Sequence, residues 1–176
     1  MIVVKDRTFE KFICYEDILE RIAILAGNID EDYKDRKPLF IAVLNGSFMF
    51  AADLLKEISL NCEISFIKVA SYEEMESTGN VRQLIGLNEN IFKRDVIIIE
   101  DIIDTGRTML KILEEFKSLG ANSIEVVTLF SKPGAVIIQE HLKYIGFELP
   151  EAFVLGYGLD YDGQGRNLKD LYKLKD

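Results

Sequence analysis

Residues 96 to 108 read Val-Ile-Ile-Ile-Glu-Asp-Ile-Ile-Asp-Thr-Gly-Arg-Thr, and this stretch restricts the fold more than any other part of the chain. Four consecutive β-branched residues, Val96 to Ile99, have the length and composition of a central strand buried on both faces. The carboxylates Glu100 and Asp101 follow where such a strand emerges from its sheet, and carboxyl ends of strands are where open α/β sheets bind ligands. Asp104, Thr105, Gly106, Arg107 and Thr108 then lead into a helical pattern from Met109 to Leu119. A turn of that composition can aim several backbone N–H groups and two hydroxyls at one anion. Asp-Thr-Gly is also an ordinary turn in which Asp104 or Thr105 only caps the helix. The acidic pair before it and the second threonine at 108 exceed what a cap requires.

The same strand, turn, helix order occurs once before. Ile18, Ile22, Leu25 and Ile29 recur at helical spacing, which predicts an amphipathic helix over residues 16–35, ended before Pro38. Leu39 to Leu44 reads as a buried strand, Asn45-Gly46-Ser47 as a tight turn and Phe48 to Ile58 as a helix. Glu63 to Ala70 is the next strand, Ser71 to Asn80 a polar segment, and Val81 to Leu87 a further extended piece. Gly120 suits the C-terminal stop of the helix 109–119, and Ser123 to Phe130 is another apolar strand. This alternation predicts an α/β fold: a central, mostly parallel sheet flanked by helices. Beyond Pro133 the pattern breaks into a short helical piece and two extended runs, Tyr144 to Leu149 and Phe153 to Gly158, assigned to a small hood over the strand ends.

A chain of 176 residues without repeats or a Gly, Pro or Ser linker suits a single domain over 1–176, with a core at about 36–130 and a hood from about 1–15 and 131–176. Twenty-one basic against thirty acidic side chains give a net charge of −9, which opposes extended contact with nucleic acid. A phosphate-rich ligand must then be held by local donors and metal. No apolar run reaches the roughly 18 residues of a membrane span, and the N-terminus lacks a signal-peptide pattern. Cys14 and Cys62 have no metal-ligand spacing and read as reduced thiols in apolar surroundings, so a cytoplasmic chain is expected. Neither Gly-x-x-x-x-Gly-Lys nor Gly-x-Gly-x-x-Gly occurs, which argues against nucleotide hydrolysis and hydride transfer. His141, the only histidine, reads as a solvated residue on a short helix, and Tyr157 and Tyr161 as structural.

The run Glu100 to Thr108 resembles the phosphoribosyl pyrophosphate (PRPP) loop of type I phosphoribosyltransferases. From about residue 10 to about 172 the chain is similar to the hypoxanthine-guanine branch of that family, with four separated motifs in matching order and spacing. The resemblance implies that Asp104, Thr105, Gly106, Arg107 and Thr108 cradle the 5′-phosphate while Glu100 and Asp101 take the ribose hydroxyls. It also implies that Asp104 handles the proton at N7 of the purine. Asn45 and Gly46 correspond to a turn that binds pyrophosphate through its backbone, commonly with a non-proline cis peptide. Asn45 departs from the family's usual lysine, so only the backbone contact is carried over.

Ser71-Tyr72 opens a polar segment that, from its residues alone, is either disordered or an active-site lid. The resemblance implies the lid. Further along it implies that Lys132 donates to the exocyclic oxygen of a 6-oxopurine, that Phe153 stacks on the base, and that the backbone of Val154 reads the purine edge. Asp160, with Glu100 and Asp101, would hold Mg²⁺, and Arg166 would hold pyrophosphate. Taken singly, each of these has a plain structural reading.

The implied activity is purine salvage: transfer of the phosphoribosyl group from PRPP to N9 of hypoxanthine and also guanine, giving IMP or GMP and pyrophosphate. The implied partners are these small molecules and further copies of the chain in a homodimer or homotetramer. Two alternatives share the fold: a PRPP-sensing regulatory protein, and a transferase preferring xanthine or a pyrimidine.

Overall fold

In the computed structural model of the protein, residues 1–69 and 83–175 are described; Ser71 and Tyr72, expected to open a lid, lie outside them. The chain order begins with β1 (Ile2–Val4), β2 (Arg7–Ile13), α1 (Tyr15–Asp32), β3 (Leu39–Leu44), α2 (Phe48–Glu57), β4 (Glu63–Val69) and β5 (Gln83–Ile85). It continues with β6 (Asp95–Ile103), α3 (Arg107–Ser118), β7 (Ser123–Ser131), a 3-10 helix (Pro133–Ile138), β8 (Leu142–Glu148), β9 (Val154–Leu155) and β10 (Leu171–Leu174). Strands β5-β4-β3-β6-β7-β8 form the central sheet in that order. All its pairs are parallel except β4 with β5.

Successive side chains of a strand point to opposite faces, and the two cores follow that alternation. Phe40, Ala42, Ile97 and Ile99 pack with Ile18, Ile22, Leu25 and Ile29 of α1 and with Phe50 and Leu54 of α2. Leu39, Ile41, Val96 and Ile98 pack with Met109, Ile112, Leu113 and Phe116 of α3 on the other face. Those α3 positions fall at spacings of three and four, one stripe of the helix. Each fully buried aliphatic side chain contributes roughly 1.5–3 kcal/mol. A run of four β-branched residues is therefore what a strand between two helical layers requires.

Strand order places the site. From β3 the chain passes through α2 to β4 on one side, and from β6 through α3 to β7 on the other, so the direction of winding reverses between β3 and β6. Such a switch point leaves a crevice at the carboxyl ends of the two strands. β6 pairs with β3 only as far as Ala42↔Ile99, yet continues along β7 to Ile103↔Ser131. The acidic pair consequently lies within β6 and not beyond it, on a strand already separated from β3. The helix likewise begins at Arg107, so Arg107 and Thr108 sit in its first turn.

A second sheet, β1-β2-β10-β9, is antiparallel and built from both chain ends, as the hood expectation required. One assignment is corrected. Of the run Tyr144 to Leu149, expected in the hood, all but Leu149 lies in β8 at the edge of the central sheet, parallel to β7 with Tyr144 opposite Val127. Tyr144 is buried toward α1, where its hydroxyl donates to Asp32 at 2.7 Å. Gly146 lies close beneath β7, since a Cβ there would stand 2.5 Å from the Leu129 carbonyl oxygen.

Candidate active site

The turn leaving β6 ends at Gly106, whose φ of 75° lies in the left-handed region that favours glycine. A side chain there would also press on Ile137 and Ile138 at 3.1–3.2 Å. Gly106 accepts the first helical hydrogen bond, from Leu110 N at 2.9 Å, and Thr105 Oγ1 accepts from Arg107 N at 3.4 Å. Amides of a helix's first turn have no partner within the helix, so this end of α3 presents donors beside Thr105 and Thr108, both exposed.

Three backbone segments converge beside the acidic pair. Asp101 is 8% exposed, and a Cβ added to Gly46 would overlap its carboxylate at 1.7 Å. A Cβ added to Gly158, where φ is +96°, would stand 2.1 Å from the Gly46 carbonyl oxygen. Only glycine at 46 and 158 allows these approaches. The Leu44–Asn45 peptide is cis, as expected from the resemblance, and Ser47 Oγ donates to Val43 O at 2.6 Å within the same buried turn. Burial, then the hydrogen bond and charge of neighbouring Asp101, push the Glu100 carboxyl well above the usual carboxylate range. Glu100 Oε1 in turn accepts from the Asp101 amide at 3.1 Å.

β6 and β7 end side by side, and Lys132 N donates to Ile103 O at 2.9 Å just past their last pair. That register brings Lys132 Nζ to 3.4 Å from Asp104 Oδ2. The lysine side chain is 13% exposed and the aspartate 58%, so the ammonium approaches from within and the carboxylate faces solvent. Phe153 is 45% exposed, next to Val154 in β9, and its backbone oxygen accepts from Leu174 N at 2.9 Å. Asp160 and Arg166 are paired: Arg166 Nη2 lies 2.6 Å from Asp160 Oδ1 while Nη1 donates to Gly158 O at 2.7 Å. The other Asp160 oxygen accepts from Gly163 N at 2.7 Å.

Not every expected group gathers. Among the described residues no three His, Cys, Asp or Glu side chains form a metal-ligating cluster. Glu100 and Asp101 are adjacent, but both Asp160 oxygens are engaged by Arg166 and Gly163, so the three expected metal ligands are not a preformed cage. His141 is half-buried, with Nδ1 2.9 Å from Ile124 O, because it joins the 3-10 helix to β8.

Asp53, which sequence reasoning passed over, and Tyr157, read there as structural, support the site. Tyr157 is fully buried, and its hydroxyl donates to Asp53 of α2 at 2.7 Å. Burial first, then Asp53, raise its pKa far above the tyrosine range. Tyr157 N also donates to Leu168 O at 2.7 Å, which anchors the segment carrying Gly158, Asp160 and Arg166. The sole local hint was Gly156-Tyr157-Gly158, a bulky residue between two glycines.

The model of the phosphoribosyl transferase domain family matches residues 15–162. A hypoxanthine-guanine phosphoribosyltransferase of Streptococcus agalactiae serotype V is 42% identical over 162 residues, 92% of this chain and 90% of that protein. One of Streptococcus pyogenes serotype M3 is 40% identical over 161 residues, covering 91% and 89%. A hypoxanthine phosphoribosyltransferase structure from Staphylococcus aureus superposes with a TM-score of 0.87 at 40% identity, covering 94% of this chain and 91% of that one. The Trypanosoma cruzi hypoxanthine phosphoribosyl transferase gives 0.87 at 33% identity, covering 99% and 95%. With identity of this level spread over nine-tenths of its length, and a family model matched over residues 15–162, the chain belongs to the hypoxanthine-guanine phosphoribosyltransferases of the phosphoribosyl transferase family.

Proposed function

We propose that the protein transfers the 5-phosphoribosyl group of PRPP to N9 of hypoxanthine, and of guanine, releasing pyrophosphate and IMP or GMP. The observation that carries this reading is the approach of Lys132 to Asp104 at the paired ends of β6 and β7. An ammonium can only donate, which suits a C6 oxygen and disfavours the amino group of adenine. A carboxylate beside it can take the imidazole proton.

In this reading the first-turn amides of α3, with Thr105, Gly106, Arg107 and Thr108, hold the 5′-phosphate, and the ribose hydroxyls donate into Glu100 and Asp101. The backbone at Asn45 and Gly46 and the guanidinium of Arg166 hold the pyrophosphate. Phe153 stacks on the base and the Val154 backbone reads its edge. The N9–C1′ bond forms as the bond from C1′ to the pyrophosphate oxygen breaks, and the imidazole proton passes to Asp104. Positive charge develops on the sugar meanwhile, so positioning and nearby carboxylates do the catalysis.

The donor set fits Mg²⁺. Glu100, Asp101 and Asp160 offer hard oxygens without thiol or imidazole, and this ion keeps waters and phosphate oxygens while taking only one or two carboxylates. When bound it neutralises charge on the departing pyrophosphate.

A homodimer or homotetramer goes with this reading. Ile64 and Phe66 of β4, in register with Phe40 and Ala42, are 39% and 41% exposed, and Phe48 at the start of α2 is 43% exposed. These large apolar side chains suit a face shared between copies. The free thiols Cys14 and Cys62 accord with a reducing, cytoplasmic setting.

The test is incubation with PRPP, Mg²⁺ and a panel of bases, following nucleotide formation. Hypoxanthine and guanine should be converted and adenine should not; conversion of pyrimidines alone, or of none, would overturn the reading.

A further inference from the structure

Tyr161 lies in a tight hairpin. Its N–H donates to Gln164 O at 2.9 Å and its carbonyl accepts from Gln164 N at 3.1 Å, across Asp162 and Gly163 at φ 49° and 79°. Two consecutive left-handed residues are what a two-residue hairpin turn needs. Asp160 and Arg166 brace the same hairpin through Gly163 N and their own ion pair. None of these bonds uses the Tyr161 side chain.

The ring instead points to the base end of the site. It meets Phe153 edge to face, centroids 5.7 Å apart and planes at 81°. Phe9 of β2, fully buried, completes a trio at 6.3 Å from Phe153 and 6.1 Å from Tyr161. Phe9 is itself pinned in register with Ile2 and Leu174. Beyond the ring, the Tyr161 hydroxyl donates to Asp6 Oδ1 at 2.8 Å, in the turn between β1 and β2. That hydrogen bond holds the Asp6 carboxyl below its usual range. Lys5 and Asp162 form an ion pair alongside it.

We propose that Tyr161 is a positioning residue for the purine: it sets the tilt of the Phe153 ring on which the base stacks, and the Asp6 hydrogen bond secures it from the N-terminal hairpin. This rests on the reading of Phe153 as the stacking ring. A ring that is 45% exposed would otherwise sample several orientations, and ordering it would be charged against base binding. Edge-to-face contact with Tyr161 orders it beforehand and leaves its open side to the ligand. Because the hairpin holding Asp160 and Arg166 is closed by other bonds, the PRPP end does not depend on the ring.

Steady-state kinetics with each substrate varied in turn test this. Tyr161→Leu should raise KM for hypoxanthine by about three- to tenfold while KM for PRPP and kcat stay within about twofold, and Tyr161→Phe should restore most of the loss. Binding provides a second measurement, needing no turnover: Tyr161→Leu should weaken IMP by the same factor and leave ribose 5-phosphate unaffected. Equal loss for both ligands, or an unchanged hypoxanthine KM in Tyr161→Leu while Phe153→Ala raises it, would overturn the proposal. If Phe153→Ala itself leaves the hypoxanthine KM unchanged, the stacking reading falls and this proposal with it.

Discussion

Gly158→Ala isolates what close backbone approach contributes to this site. The new Cβ would stand 2.1 Å from the Gly46 carbonyl oxygen, and it must retreat by about 1 Å to reach van der Waals distance. The atom it meets is backbone, in the turn that holds the cis Leu44–Asn45 peptide and packs on the Asp101 carboxylate, so no side chain can swing away. Alanine at φ +96° adds conformational strain of about 1–3 kcal/mol. Gly163→Ala supplies the control: φ is +79° there, but nothing lies within 4 Å of the added Cβ. In urea unfolding Gly163→Ala should lose only the cost of its positive φ, and Gly158→Ala should lose more, because the clash with Gly46 adds to that cost. A misplacement of about 1 Å at reacting groups costs on the order of a hundredfold in rate, so kcat/KM of Gly158→Ala should fall by about that factor. Gly163→Ala should stay within about twofold. If Gly158→Ala keeps kcat/KM within about threefold of the parent while losing the same stability as the control, the contact with Gly46 does not position the Leu44–Asn45 turn.

Asp104→Asn removes the proposed proton acceptor but keeps its shape, and should lower kcat by roughly 10²–10⁴ while calorimetry finds PRPP affinity nearly unchanged; equal loss of both would contradict the proton-handling role. Asp170, 4% exposed, accepts from Tyr15 N at 2.9 Å at the start of α1 and pairs with Lys11 at 2.6 Å, so it ties the C-terminal segment to the N-terminal helix. Asp170→Ala should cost about 2–3 kcal/mol in urea unfolding, the sum of a helix cap and a charge-assisted hydrogen bond. The hydrogen bond from Lys11, assisted by Tyr15 N, holds the Asp170 carboxyl below the ordinary aspartate range. A depressed folded-state value means that this stability is fully present above the unfolded value and is lost as pH falls through the folded one. The gap between parent and variant should accordingly be constant near neutrality and close below about pH 4; a gap unchanged at pH 2 would exclude the carboxylate as its source.

The strands and turns that carry chemistry were legible because their signals are local. Leu39 to Leu44 emerged with the expected bounds, since six consecutive apolar residues between Pro38 and Asn-Gly admit little else. β8 was misassigned for the opposite reason. Its residues alternate between buried and accessible, the pattern of an exposed edge, and nothing local distinguishes the edge of the central sheet from a strand of the hood. The end of β6 was placed too early because its pairing with β7 outlasts its pairing with β3, and pairing length belongs to two strands at once.

Residue types, turn chemistry and the order of the motifs came from the amino-acid sequence alone, because periodicity and glycine or carboxylate placement act over a few residues. Tertiary structure decided which of those groups meet. Lys132 reaches Asp104 only because β6 and β7 are parallel neighbours in one register. Gly158 rests on Gly46 only because the buried Tyr157 draws its segment onto α2. Tyr161 joins Phe153 to Asp6 only because both chain ends build one sheet. Contacts between distant segments depend on strand order, register and packing, which no short window of residues contains.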